Sequence, residues 1–172
     1  MEVRPPETDA EIRGLIRAHG LSWRAAYDDI LPDGVLDKMT VDPIPLEVEA
    51  WADRIKSGPG VVFVAVADET VWGFVDVRWG EEHTKSFVGP DEAGVKAIYV
   101  HPDRWGEGIG SALLDRGIDA LPDHVERVRL EALADNEVGT WFYEARGFDR
   151  AERNKTESGG ETYPTAIYAR DV

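Results

Sequence analysis

The segment Val100-His101-Pro102-Asp103-Arg104-Trp105-Gly106-Glu107-Gly108-Ile109-Gly110-Ser111-Ala112-Leu113-Leu114 decides how the rest of this chain is read. It begins at the end of Val95–Val100 (VKAIYV), whose β-branched and aromatic residues read as a strand that Pro102 stops. Three glycines alternate at 106, 108 and 110, and Gly106–Ala120 then reads as a helix opened by a glycine-rich turn. The first N–H groups of a helix lack intrahelical partners and carry partial positive charge. Glycines let main chain come close to an anion with no Cβ in the way. Strand, turn and helix together therefore read as a diphosphate cradle that needs no side-chain cation. Three other readings compete. A P-loop needs a Lys where Gly110 stands before Ser111. A dinucleotide fingerprint needs a glycine at Ser111 and a turn directly after the strand, where Pro102–Trp105 intervenes. A turn that merely packs a helix on a sheet remains open.

Working outward, both sides of this segment alternate between strand and helix. Glu2–Arg4 reads as a short strand, and Thr8 or Asp9 caps a helix with Ile12, Leu15 and Ile16 on its apolar face. A second helical piece holds Trp23 and Tyr27, Pro32-Asp33-Gly34 is a turn, and Pro45–Lys56 is a helix broken by Ser57-Gly58-Pro59-Gly60. Val61–Ala67 and Val71–Trp79 form a hairpin about Asp68-Glu69-Thr70. Trp72 and Trp79, seven apart, fall on opposite faces, which leaves at least one to meet solvent, substrate or the partner of a possible homodimer. His83–Gly94 reads as a loop with a short strand at Ser86–Val88. Val125–Leu133 is a strand and Asn136–Ala145 a helix with Val138, Trp141, Phe142 and Ala145 on its core stripe. Phe148–Thr156 and Thr162–Arg170 are strands joined at Ser158-Gly159-Gly160. The fold class is α/β: a central mixed, mostly antiparallel twisted sheet of six or seven strands in one layer, with about four helices packed on it, in one domain over 1–172.

Composition removes whole classes of function. With 19 basic and 34 acidic residues the net charge is −15, which opposes binding to nucleic acid or to an anionic membrane surface. No apolar stretch reaches the length of a membrane span, and MEVRPPETDAEI lacks a secretory pattern, so a cytoplasmic protein is expected. There is no cysteine, hence no disulfide, no zinc–thiolate site and no thiol nucleophile. The four histidines (19, 83, 101, 124) show no metal-ligand spacing, and no metal is expected. The excess of acids with only five lysines resembles proteins of salt-loving organisms; a surface that attracts a cationic substrate is the alternative.

The segment around the glycine turn, KAIYVHPDRWGEGIGSALL, resembles the central motif of the GCN5-related N-acetyltransferase superfamily, in which a strand, an Arg/Gln-x-x-Gly-x-Gly/Ala loop and a helix bind acetyl-coenzyme A. Leu130–Asn136 followed by Trp141-Phe142-Tyr143-Glu144-Ala145-Arg146-Gly147-Phe148 is similar to that family's next motif, so that the likeness spans residues 95–148. Trp23-Arg24-Ala25-Ala26-Tyr27 and Ile30-Leu31-Pro32 resemble many members more loosely. The departure is Trp105, which stands at the usual Arg/Gln position with Arg104 one residue early.

The resemblance implies an acetyl-CoA-dependent transfer of an acetyl group to a primary amine of a small molecule or peptide. It implies that Ile98, Tyr99, Val100, Trp105, Gly106, Glu107, Gly108, Ile109, Gly110, Ser111, Asn136 and Tyr143 contact the coenzyme. Main chain of the strand ending at Val100 would pair with the pantetheine arm, and a backbone N–H there would polarise the acetyl carbonyl. Asn136, Gly139, Thr140 and Tyr143 share one helix face, and Tyr143 then becomes the general acid for the departing thiolate. An ammonium acceptor must lose a proton near neutral pH, where it is held with a pKa of about 10.4. Glu131 is the first candidate base, with Glu92 and Asp76 as others. Trp23 and Tyr27 either line an acceptor pocket or belong to the core. A coenzyme A-binding sensor with a degenerate site and a nucleotide-binding (NAD) oxidoreductase are the rival readings.

Overall fold

The computed structural model describes residues 1–172, apart from the side chain of Glu81. Seven strands form one sheet: β1 (Glu2–Arg4), β2 (Gly60–Ala67), β3 (Thr70–Trp79), β4 (Glu92–Val100), β5 (Arg127–Leu133), β6 (Asp149–Ser158) and β7 (Glu161–Asp171). Their order is β1-β2-β3-β4-β5-β7-β6, and every pairing is antiparallel except β4 with β5. Five α-helices accompany them: α1 (Asp9–Ala26), α2 (Asp33–Leu36), α3 (Pro45–Lys56), α4 (Ile109–Asp119) and α5 (Glu137–Ala145). The mixed, mostly antiparallel sheet is the expected one. None of the described helices is long and apolar enough to cross a membrane.

The helices cover both faces of this one sheet. On one face Ile12, Leu15 and Ile16 of α1 and Val48 of α3 pack against Val62, Val64, Val71 and Phe74. On the other, Ile109, Leu113 and Leu114 of α4 meet Phe63, Ala65, Val75 and Val77. Both faces of the central strands are therefore apolar, which is why VVFVAVA reads as a continuous run rather than an alternation. Leu113 and Leu114 are fully buried, each stabilising the fold by about 1.5–3 kcal/mol. The edge strand β6 is exposed along nearly its whole length and carries Asp149, Arg150, Glu152, Arg153 and Lys155, charges that oppose pairing with another sheet.

Several boundaries differ from the sequence reading. Trp23 lies in α1 itself, because Gly20 lets the helix run on: a Cβ there would sit 2.1 Å from the Thr40 carbonyl oxygen. Tyr27 is the residue that ends α1. Asp33-Gly34 opens the short helix α2 rather than a bare turn. Ser86–Val88 contains no strand, and β4 begins earlier, at Glu92. Trp72 and Trp79 pack against the same apolar cluster, since a bulge at Trp72, between the pairs Val66–Val71 and Ala65–Gly73, shifts the alternation by one residue. On α5, Val138 and Trp141 are 72% and 68% exposed and Ala145 is exposed, so they are not a core stripe. The inward face is Gly139, Phe142, Tyr143 and Arg146, half-buried against α4 and the sheet.

Candidate active site

β4 and β5 pair only at their first residues, Glu92–Arg127, Ala93–Val128 and Gly94–Arg129. Beyond Gly94 they part, β4 staying with β3 and β5 with β7. A bulge at Lys96, between the pairs Val77–Val95 and Asp76–Ala97, bends β4 at the point of divergence. The β5-side edge of Val95–Val100 is left without a strand partner in the middle of the sheet. Buried backbone polar groups are nearly always satisfied, so such an edge is a place for an extended ligand. Ile98 and Val100 turn their side chains to the α4 face and Tyr99 to the α1 face, leaving their main chain at the gap.

The start of α4 stands at the far end of this gap. It is the one α-helix with no acidic residue in its first turn, and its N-cap, Gly108, supplies no side-chain acceptor. Gly106 and Gly108 have φ of +80° and +83°, a region that favours glycine, and open space surrounds the Cβ each would carry. Gly110 differs: a Cβ there would lie 3.0 Å from the Phe142 ring, so this glycine lets α5 dock on α4. Ile109 is buried in the core, and Glu107 accepts from Arg104 at 3.3 Å. Trp105 turns back to donate from Nε1 to the Val100 carbonyl oxygen at 2.7 Å and so closes the loop. The amides of residues 109–111 are thereby offered to an anion, and the residues present fit a diphosphate.

Arg146 escaped the sequence reading. From the end of α5 it donates Nε to Ser111 Oγ at 2.7 Å, and Nη1 to the Phe142 carbonyl oxygen at 2.9 Å, with its guanidinium 3.8 Å from the Phe142 ring centre. A cation thus stands in the first turn of α4, delivered by another helix. Only the docking of α5 on Gly110 reveals it; a lone Arg before Gly147 carries no such signal. Asn136 is the N-cap of α5, its Oδ1 accepting from the Gly139 amide at 3.2 Å.

Aromatic rings fill the α1 side of the gap. His19 packs edge-on to Trp51 and Tyr99 at 5.2 and 5.1 Å, and Trp23 packs edge-on to Tyr27 at 4.9 Å. Buried Trp23 Nε1 has no hydrogen-bond partner among the described residues, an orphan donor at the gap. Burial holds His19 neutral, lowering its pKa from 6.5 to about 4, with the Arg54 charge adding to the effect. Burial raises the Tyr99 hydroxyl, with Tyr27 adding to it, and likewise raises Tyr143. Tyr143, on the α4 face of β5 beside Phe142, Phe148 and Tyr168, therefore keeps its proton at neutral pH.

Each of the three candidate carboxylates is engaged. Asp76 pairs with Arg78 at 2.6 Å, and Arg78 also caps the end of α3 through the carbonyl oxygens of Arg54, Ile55 and Ser57. Glu92 accepts from Arg129 at 2.9 Å and from the Gly89 amide at 2.9 Å. Glu131 accepts from Lys85 Nζ at 2.8 Å and Thr165 Oγ1 at 2.7 Å. Leu130 and Ala132 face the cluster that holds Tyr143, so Glu131, between them, faces the opposite side of β5. There it lines a cavity of about 310 Å³ with Gly94, Lys96 and Arg129. A separate cavity of about 330 Å³, between the start of α1 and β2, touches none of these residues.

Known proteins share this fold. A PaiA N-acetyltransferase from Thermoplasma acidophilum, crystallised with coenzyme A, superposes with a TM-score of 0.74 at 19% identity, covering 99% of this chain and 98% of that one. A ribosomal-protein-alanine N-acetyltransferase from Brucella melitensis gives the same TM-score at 17% identity over the whole of both chains. In sequence, the uncharacterized N-acetyltransferase YuaI of Bacillus subtilis is 25% identical over 151 residues, covering 87% of this chain and 82% of its own. A mycothiol acetyltransferase from Kocuria rhizophila is 30% identical over 105 residues, 60% of this chain and 33% of its own. With its parted strands, its uncapped α4 and a family match that runs over residues 22–148, the chain belongs to the acetyltransferase (GNAT) family.

Proposed function

We propose that this protein transfers the acetyl group of acetyl-coenzyme A directly to a primary amine held in the same complex. The observation that carries the reading is the parting of β4 and β5 beyond Gly94, which sets a free strand edge, an uncapped helix start and a protonated Tyr143 around one gap. The coenzyme supplies an activated acetyl thioester. The amides of residues 109–111 and the Arg146 guanidinium hold its diphosphate, and Gly106 and Gly108 keep side chains out of the way. The unpaired edge of Val95–Val100 receives the arm, and an amide of that edge polarises the acetyl carbonyl.

Tyr143 Oη gives its proton to the thiolate that leaves and regains one from the nitrogen that has become the amide. Glu131, on the other face of β5, holds the incoming ammonium as it now holds Lys85 Nζ, and takes its proton. Acid and base thus flank the gap from opposite faces, and the enforced closeness of the reactants supplies much of the rate. With no cysteine in the chain, a direct transfer also needs no acetylated thiol of the protein.

Thiol release measured with acetyl-coenzyme A and a panel of amines tests this. Release should need both partners, and Tyr143→Phe should lower kcat by roughly 10²-fold or more with little change in acetyl-coenzyme A affinity. An unaltered kcat removes Tyr143 from the mechanism. Tight coenzyme binding with no release to any amine would favour a second reading, a coenzyme A sensor, which the pairing of all three candidate carboxylates supports.

A further inference from the structure

The cavity beside Glu131 has the wrong charge for the chain that builds it. The protein carries 34 acidic against 19 basic residues, yet this wall presents five cations, Arg54, Arg78, Lys85, Lys96 and Arg129, and two carboxylates, Glu82 and Glu131. Three of the cations are spoken for, Arg78 by Asp76, Arg129 by Glu92 and Lys85 by Glu131. Among the described residues the carboxylate Glu82 has no ion-pair partner, and neither have the cations Arg54 and Lys96. Both are exposed. Lys96 is the bulged residue of β4, where the strands part, and Arg54 stands in the last turn of α3, 4.6 Å from the Trp51 ring centre. Glu131, the carboxylate proposed to take the acceptor's amine, already has its charge offset by Lys85 and is hydrogen-bonded by Thr165.

A polyamine would meet two unpaired cations here, whereas a carboxylate would find two partners in an otherwise anionic surface. We infer that the acceptor is an amine that also carries a carboxylate, of the amino-acid class, with the carboxylate bound by Arg54 and Lys96 while the amine displaces Lys85 from Glu131. The inference rests on the acetyl-transfer reading above and narrows its acceptor. An amino acid carries one charge of each sign, so the acidic remainder of the surface opposes its approach little, and the two cations act at contact.

The experiment compares thiol release for common amino acids, each beside its own carboxamide, with spermidine as a cationic acceptor. The preferred amino acid should exceed its amide by about tenfold in kcat/KM, the scale of one charge-assisted hydrogen bond. Lys96→Gln and Arg54→Gln should each raise KM for the acid by about tenfold relative to KM for its amide in the same variant, and Arg54→Gln should leave the acetyl-coenzyme A values in place. Spermidine or the amides as better acceptors, or an unchanged acid KM in both variants, would overturn the inference. If acetyl-coenzyme A binds but no amine is acetylated, the transfer reading has failed. Calorimetry with the same amino acids then decides the anion site by itself: binding that the double variant loses supports it, and binding that is absent or indifferent to the double variant overturns it.

Discussion

Replacing His19 by phenylalanine exchanges the one imidazole of the aromatic cluster for a ring that never charges. In the folded protein His19 resists protonation down to about pH 4, against 6.5 when exposed, because it is largely desolvated among Trp51, Phe74 and Tyr99 and faces the Arg54 charge. The folded state therefore binds fewer protons than the unfolded chain between these two values. Stability from this group is intact above pH 6.5, falls as the pH drops, and levels off near pH 4. The difference amounts to about 2 kcal/mol between pH 7.5 and pH 5, approaching about 3 kcal/mol below pH 4. Urea unfolding of wild type and His19→Phe at pH 7.5 and pH 5, in equal salt, isolates the effect, since the other titrating groups cancel in the double difference. The variant should lose about 2 kcal/mol less than wild type on going to pH 5. An equal loss in both proteins would refute the burial of a neutral imidazole. Arg54→Gln removes the neighbouring charge and should shift the His19 midpoint upward in an NMR titration.

Arg146→Gln should weaken acetyl-coenzyme A binding by roughly tenfold or more, the worth of a hydrogen bond to a charged group, with kcat at saturation little changed; equal affinities in a calorimetric titration would take the diphosphate away from Arg146. Glu69 sits in the β2–β3 turn at φ +63°, beside Asp68 at +51°, so Glu69→Gly should relieve roughly 1 kcal/mol of strain and raise Tm by about 2–4 °C. A lower Tm in a thermal scan would contradict that. Gly20→Ala places a Cβ 2.1 Å from the Thr40 carbonyl oxygen, a backbone atom with no rotamer to escape into, and should cost about 1–3 kcal/mol in urea unfolding.

Much of this molecule is legible along the chain because it is written in local chemistry. The hairpin β2–β3, the helix Pro45–Lys56 and the strand–glycine–helix passage into α4 follow from β-branched runs, a proline at a helix start and alternating glycines, each of which acts within a few residues. The family likeness of residues 95–148 is of the same kind. Errors arose where a neighbour distant in sequence decides. Val138 and Trp141 have the spacing of a core stripe, yet the face of α5 that turns inward is chosen by Gly110, which admits Phe142. Trp72 and Trp79 obey strand alternation in sequence, and a single bulge against β2 cancels it.

The site divides in the same way. That a glycine-rich helix start with no side-chain cap follows β4 is determined by sequence alone, since glycine permits φ near +80°. That Arg146 reaches Ser111, that Asp76, Glu92 and Glu131 are each paired, and that Arg54 and Lys96 are left over was decided only by the tertiary structure. Charges have no local signature of partnership: whether one is spent or free depends on what the fold carries to within a few ångströms of it, and here that is set by where two parallel strands come apart.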